Sequence, residues 1–202
     1  MGNRFATAPL SPQIKPYKMN IEVIAEHSVD VDLLPEKAKI LDLGCRGMLF
    51  TNEMRRLGHE VIALDCDDLG SHIPYWRMAV SDYNGRAGVK KSRDPQATTI
   101  TVGNDIVCVT LQNLSELTST PFWDVIKLDI EGSEYEVIMS MDRPYAKQLS
   151  IEFHLHTGVY GEAEMLLMEN KLLSLGYFPV KHDKTRQHGL SYNYWDSLFI
   201  LQ

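Results

Sequence analysis

An apolar strand that runs into a glycine turn, Ile40-Leu41-Asp42-Leu43-Gly44-Cys45-Arg46-Gly47, precedes a second apolar strand, Glu60-Val61-Ile62-Ala63-Leu64-Asp65, that ends in a carboxylate. No other feature constrains the chain as much. Glycine lets the backbone pass close to a ligand, and an acid about 20 residues further on accepts hydrogen bonds from ribose hydroxyls. Between the two strands, Phe50, Met54 and Leu57 fall on one helical face, and Gly58 stands where that helix ends. The order is strand, helix, strand, with a nucleoside-binding crevice at its opening. A tight turn without a ligand uses the same residues, so this motif is weak evidence when taken alone.

The rest of the chain continues the alternation. Ile21, Ile24 and Ala25 before Pro35 predict a helix over 19–34, and a third strand covers 77–81 before Asp82 and the turn pair Asn84-Gly85. Short strands are expected at 98–102 and 107–110. Leu111, Leu114 and Leu117 mark a brief helix. Trp123 to Asp129 reads as a buried strand, and Ser133 with Glu136 as the capping box of the next helix, with Tyr135, Ile138 and Met139 on one face. A strand over 148–156 follows, then an amphipathic helix over 162–175 closed by Gly176. Strands at 177–181 and 194–201 are joined by a polar loop too short for a crossover helix, so that pair is antiparallel. These elements predict an α/β, three-layer, Rossmann-like fold with a mostly parallel seven-stranded sheet and an antiparallel last strand. Pro9, Pro12 and Pro16 make residues 1–18 an extended arm, and 19–202 form a single domain.

Charge and composition remove several classes. A net charge of −7 and a pI near 5.5 disfavour nucleic acid as a partner, because phosphate binding needs clustered Lys and Arg. The run Lys90-Lys91-Ser92-Arg93 reads as a solvated loop. Cys45, Cys66 and Cys108 are far apart and odd in number, which fits neither a zinc knuckle nor a disulfide framework and favours a reducing, cytoplasmic setting. No run approaches the roughly 20 apolar residues of a membrane span. The N-terminus lacks the pattern of a secretory signal, and Ala6 occupies the Ser or Thr position of a myristoylation motif. No oligomeric state is assigned.

Candidate site residues cluster at strand ends, where an unpaired charge is poorly tolerated without a purpose. Asp65, with Cys66 beside it, lies where a ribose would. Asp82, with Ser81 beside it, could accept an adenine amine or simply form the turn. Asp42 could fix the glycine turn or reach the ligand through water. Asp129 and Glu131 point one way if their strand continues, and Glu152, His154 and His156 alternate on the next. Such a set could supply a general base to a hydroxyl, hold a divalent metal, or form a satisfied polar rim. The residues assign no metal.

Ile126-Lys127-Leu128-Asp129-Ile130-Glu131-Gly132-Ser133-Glu134 closely resembles the Lys-x-Asp-x-Glu-Gly-x-Glu signature of the FkbM-type family of S-adenosylmethionine-dependent methyltransferases. Ala79-Val80-Ser81-Asp82 with Gly85, Leu111-Gln112-Asn113-Leu114 and Ile151-Glu152-Phe153-His154 are similar to further family segments, so the resemblance spans about 39–199. It implies a class I methyltransferase fold with a reversed seventh strand. It also implies S-adenosylmethionine over Gly44 and Gly47, with Asp65 at the ribose, Asp82 near the adenine and Asp129 near the methionine end. Two departures stand out: Arg46 replaces the usual Asn, where it could pair with the cofactor carboxylate, and Met48 replaces a Gly, where it is expected to crowd the turn. Gln112 replaces an Asp. The implied reaction is O-methylation of a hydroxyl on a small-molecule or carbohydrate-like acceptor, with His154 or Glu131 assisting, Asp129 positioning and Glu152 and His156 meeting the substrate. A nicotinamide dehydrogenase would need Gly-x-Gly-x-x-Gly, which is absent. A non-catalytic cofactor-binding module is the rival, motivated by the irregular first turn.

Overall fold

A computed structural model describes residues 18–91, 98–155, 158–186 and 193–202. The expected N-terminal arm and His156 lie outside the described residues.

The first described segment corrects the sequence reading: in place of a helix over 19–34 stands a hairpin of β1 (Ile21–Ile24) and β2 (His27–Asp30) followed by a 3-10 turn at Val31–Leu33. Ala25 and Glu26 turn the hairpin with φ of 45° and 73°. Ile21, Val23, Ile24 and Val29 are β-branched and favour extended backbone. Tertiary contacts complete the choice. Ile24 and Val29 pack on Ala38, Ile40 and Phe50, and the buried Gln148 amide clamps Asp30 by accepting from its N–H (2.8 Å) and donating to its carbonyl (3.0 Å).

Strand β3 (Lys39–Leu43) lies at the sheet centre, and the glycine turn leads from it through a 3-10 turn, Arg46–Met48, into α1 (Leu49–Arg56). The helix buries Phe50 and Met54, each contributing about 1.5–3 kcal/mol of apolar burial. Gly58, at φ 97°, ends it as expected, with its N–H bonded to Arg55 O. Strand β4 (Glu60–Asp65) pairs parallel to β3. The expected third strand is split: β5 (Trp76–Arg77) pairs with β4, and β6 (Ala79–Val80) pairs instead with a second sheet. Between them the Met78 N–H bonds to Asp65 O.

That second sheet is built on β7 (Gly85–Lys91) and β8 (Thr98–Val109), one long strand where two short ones were expected. Gly88 and Gly103 face each other so closely that a Cβ on Gly103 would lie 2.4 Å from Gly88 Cα. Lys90 and Lys91 belong to β7 rather than to a loop; Ser92 and Arg93 lie outside the described residues. The brief helix is α2 (Leu111–Leu117), capped by the Thr110 hydroxyl.

Strand β9 (Trp123–Leu128) flanks β3 on its other side, α3 (Glu134–Ser140) follows, and β10 (Ala146–His154) pairs parallel to β9. The expected capping box is not formed, because the Ser133 side chain makes no cap bond. Helix α4 (Glu162–Ser174) buries Met165, Met168 and Leu172 and leaves Leu166 and Leu167 exposed. Finally β12 (Asn193–Leu201) inserts between β10 and β11 (Tyr177–Arg186), antiparallel to both. The seven-stranded order is β11-β12-β10-β9-β3-β4-β5, parallel apart from β12. The fold is the expected Rossmann-like α/β architecture. Its winding reverses between β3 and β9, and a crevice opens beyond their carboxyl ends.

Candidate active site

The crevice is a cleft of about 800 Å³, walled by the glycine turn, the ends of β4, β9 and β10, and Val23 and Glu26 of the hairpin. Gly44 has φ 82°, and a Cβ there would fall 1.6 Å from the Asp129 carbonyl oxygen. This turn accepts only glycine, because two backbones meet there. Gly47 differs: its φ is 74°, it lines the cleft, and no atom lies within 4 Å of where a Cβ would stand. It forms an open cradle.

Asp65 lines the same side, 7 % exposed, with Oδ1 accepting from the Asp67 N–H at 2.8 Å. Burial pushes its carboxyl up to about 6; the charges of Arg46 and Lys127 oppose the rise and Asp129 adds to it. Cys66 also lines the cleft, and burial, aided by Asp65, pushes its thiol up to about 12, so it is neutral. Arg46 pairs with Asp67 and donates to Thr98 Oγ1 at 3.2 Å, toward the β4 end of the crevice. Met48 does not crowd the cleft. Its φ is 57°, and its buried side chain joins Cys45 and Ala63 in a cluster flanked by Leu69, Ile73 and Tyr75.

Three expected cofactor residues do not line the cleft. Asp42 is fully buried, accepts from Thr51 Oγ1 at 2.5 Å and pairs with Lys127 Nζ at 3.1 Å. Ser81 is buried with its hydroxyl on Asp82 (3.2 Å), and Asp82 is exposed. Met78, Ala79, Val80, Thr98 and Ile100 supply that wall instead. The cause is the strand break, which carries the chain into the second sheet before Ser81 is reached.

Lys127, which the motif reading left without a role, organises the floor. Its buried Nζ donates to Gly44 O (2.6 Å) and pairs with Asp42 and with Asp129 Oδ2 (3.0 Å). Burial opposes the charge, but the two carboxylates outweigh it and raise the Lys127 pKa. In turn Lys127, with His27 and His154, overcomes the burial of Asp129 and holds its carboxyl well below the usual range.

At the β10 side, Asp129, Glu131 and Glu152 converge on one imidazole. His154 Nε2 lies 3.4 Å from Asp129 Oδ1, 3.6 Å from Glu131 Oε2 and 3.7 Å from Glu152 Oε1. Its Nδ1 meets Glu134 Oε1 at 2.9 Å. Glu134, fully buried, also accepts from the N–H groups of Ile130 and Gly132 and from Tyr160 Oη, each at 3.0 Å. Tyr160 Oη accepts in turn from the His154 N–H at 2.7 Å. This carboxylate therefore fixes both the Asp129–Gly132 turn and the imidazole. Burial works against charge on His154, yet Glu134, Asp129 and Glu131 raise it to about 10. Glu152 is pushed up to about 8 by burial and by Asp129. Glu131 sits at φ 54°, a strained region for a non-glycine residue, which aims its carboxylate into the cleft.

Sequence reasoning missed His27, Lys127, Glu134 and Tyr160. For Lys127 a signal existed: it is a lone cation in an apolar strand, in register with Asp42 across β3 and β9.

A glycine cradle, a buried acid at the β4 terminus and a deep cleft at the winding reversal define an α/β protein that binds a nucleoside cofactor. The chain belongs to the methyltransferase FkbM domain family, whose model matches residues 22–179. It is therefore an S-adenosylmethionine-dependent methyltransferase. Among solved structures it is similar to a TehB-like SAM-dependent methyltransferase from Corynebacterium glutamicum, at 16% identity over 85% of this chain and 84% of that one, TM-score 0.47. It is also similar to magnesium protoporphyrin IX methyltransferase from Synechocystis PCC 6803 with bound SAM (12%, 86% and 73%, 0.45). The fibrillarin pre-rRNA processing protein of Methanococcus jannaschii is a third (10%, 96% and 87%, 0.47). No curated protein matches the chain. No helix among the described residues is long and apolar enough to cross a membrane.

We propose that Asp65 receives the ribose hydroxyls of the cofactor, which makes cofactor affinity depend on pH. The hydroxyls would donate to the ionised carboxylate, so binding would favour the charged form, whereas burial holds the proton on until about pH 6. Below that pH the ligand must expel a proton. The dissociation constant of S-adenosylhomocysteine, measured by calorimetry, is expected to rise about tenfold per pH unit below 6 and to level off above it. Asp65→Asn should remove the slope; a slope of equal size in that variant would show that another group is responsible.

Proposed function

We propose that the protein methylates a hydroxyl oxygen of a small-molecule or carbohydrate-like acceptor. The observation that carries this reading is the convergence of Asp129, Glu131 and Glu152 on His154 in the cleft, beyond the carboxyl ends of β9 and β10. Gly44, Gly47, Asp65 and Cys66 would hold the nucleoside part of the cofactor, and Asp129 would lie near its methionine end. Asp42 acts at one remove, holding Lys127 against the Gly44 carbonyl. Bound S-adenosylmethionine supplies a strongly electrophilic methyl group, so the chain has mainly to align an acceptor and remove a proton.

Both His154 nitrogens face carboxylates, so the ring carries a proton on each. It serves to hold Glu131 and Glu134, and Glu131 takes the proton of the acceptor hydroxyl. Several acceptor oxygens on one wall suit a ligand rich in hydroxyl donors. The rival reading of a non-catalytic module is motivated by the irregular first turn, and there Met48 leaves the cleft clear.

Incubation with methyl-labelled cofactor and a panel of sugars, glycans, polyols, amines and thiols, read by mass spectrometry, tests the proposal. Label is expected on hydroxyl oxygens. Turnover confined to amines or thiols would overturn it.

A further inference from the structure

The geometry points to a divalent transition-metal site formed by His27, Asp129 and Glu152 at the acceptor end of the cleft. The site's role in catalysis rests on the methyl-transfer reading above; its existence does not. The three residues come from separate strands, β2, the end of β9, and β10, and one donor atom from each lies within 4.8 Å of the others. Donors held about 2.1 Å from one ion stand about 3–4 Å from each other. His27 Nε2 lies 3.5 Å from Asp129 Oδ2, long for a hydrogen bond but suited to two ligands of one cation.

His27 provides the independent observation. The residue is 4 % exposed, and Nδ1 has no hydrogen-bond partner. If the proton is on Nε2, a bare Nδ1 lone pair is buried. If it is on Nδ1, the Nε2 lone pair points at a carboxylate oxygen with nothing between them. A cation bound by Nε2 and the carboxylate takes up the facing lone pairs of the second arrangement, and the Nδ1–H stays without a partner. Asp129 and Glu152 line the cleft, so an ion can enter from solvent and keep positions open. Mixed imidazole and carboxylate donors favour manganese, iron or zinc over calcium or magnesium.

Asp129, Glu131 and His154 satisfy the same spacing. The two groups share Asp129, and His27→Asn, which leaves the second intact, distinguishes them. An ion at the first site places positive charge beside the hydroxyl whose proton Glu131 accepts, which makes that hydroxyl more acidic.

Chelator-treated protein titrated with manganese chloride, followed by electron paramagnetic resonance, and with zinc chloride, followed by calorimetry, tests the site. One saturable site per chain is expected, weakened at least tenfold in Glu152→Gln and in His27→Asn, with S-adenosylhomocysteine affinity unchanged in both. No saturable binding of either metal below millimolar concentration, or unchanged metal affinity in a folded variant, overturns the proposal. Should one variant fail to fold, the other decides. Nucleoside binding without metal binding sinks this inference alone, and metal binding without methyl transfer sinks only the functional reading.

Discussion

Replacing Lys127 by Met lowers stability by about 3–5 kcal/mol, the loss expected when one partner of a buried ion pair is removed and its carboxylates stay behind. The side chain is only 4 % exposed, and three oxygens depend on it: Gly44 O, Asp42 Oδ1 and Asp129 Oδ2. Asp42 suffers most, because it is fully buried and keeps only the Thr51 hydroxyl. At about 2–4 °C per kcal/mol for a chain of this size, the melting temperature should fall by roughly 6–20 °C. The pH dependence gives the mechanism. Lys127 leads the groups that hold the Asp129 carboxyl low, so the stability this carboxylate contributes is present above the unfolded carboxylate pKa and lost as pH falls, and the deficit of the Met variant should shrink in acid. Adding Asp42→Asn to the Met variant should restore much of the loss at neutral pH. Urea denaturation of the three proteins decides the matter; a single-variant loss under about 1 kcal/mol would mean that solvent screens the pair.

The parts of the fold that could be read from the sequence are those whose signals are local. Strand β3, the glycine turn, α1 and Gly58 follow from a run of 19 neighbouring residues in which period, turn chemistry and end signal agree (Ile40 to Gly58). The N-terminal hairpin could not be read this way. Ile21, Ile24 and Ala25 satisfy a helical spacing, and what overrides it is the amide of Gln148, 118 residues away from Asp30. Ser81 and Asp82 reach the crevice only if the strand continues, whereas the pairing of Ala79 and Val80 with β8 diverts it.

The candidate site divides in the same manner. Asp65, Asp129 and Glu131 are visible as acids at strand ends. His27 is not, since nothing in its own neighbourhood marks it, and only the docking of the hairpin brings it to Asp129. Glu134 stands inside the signature, but its role depends on four donors from the Ile130–Gly132 turn, Tyr160 and His154. A carboxylate whose work is to accept from distant groups leaves no periodic trace.

Glu131→Gln is expected to lower kcat on the true acceptor by about 10²–10⁴, the usual contribution of a positioned proton acceptor. The substitution keeps length and shape and removes the negative charge, leaving an amide oxygen too weakly basic to take the proton that we assign to Glu131. Cofactor affinity should change far less than kcat, because Glu131 is assigned to the acceptor proton and the nucleoside to Gly44, Gly47, Asp65 and Cys66. The strained backbone strengthens the argument. A non-glycine residue at φ 54° costs about 1–3 kcal/mol, a strain kept where the surroundings dictate the side-chain direction, and here Glu134 pins the turn on both sides through Ile130 and Gly132. Glu134→Gln should therefore lower kcat as well, by loosening the aim of Glu131, with a loss of stability that Glu131→Gln does not share. Steady-state kinetics beside thermal unfolding separate the two effects. If Glu131→Gln keeps more than half of the wild-type kcat, the proton leaves by another route and the carboxylate only shapes the cleft.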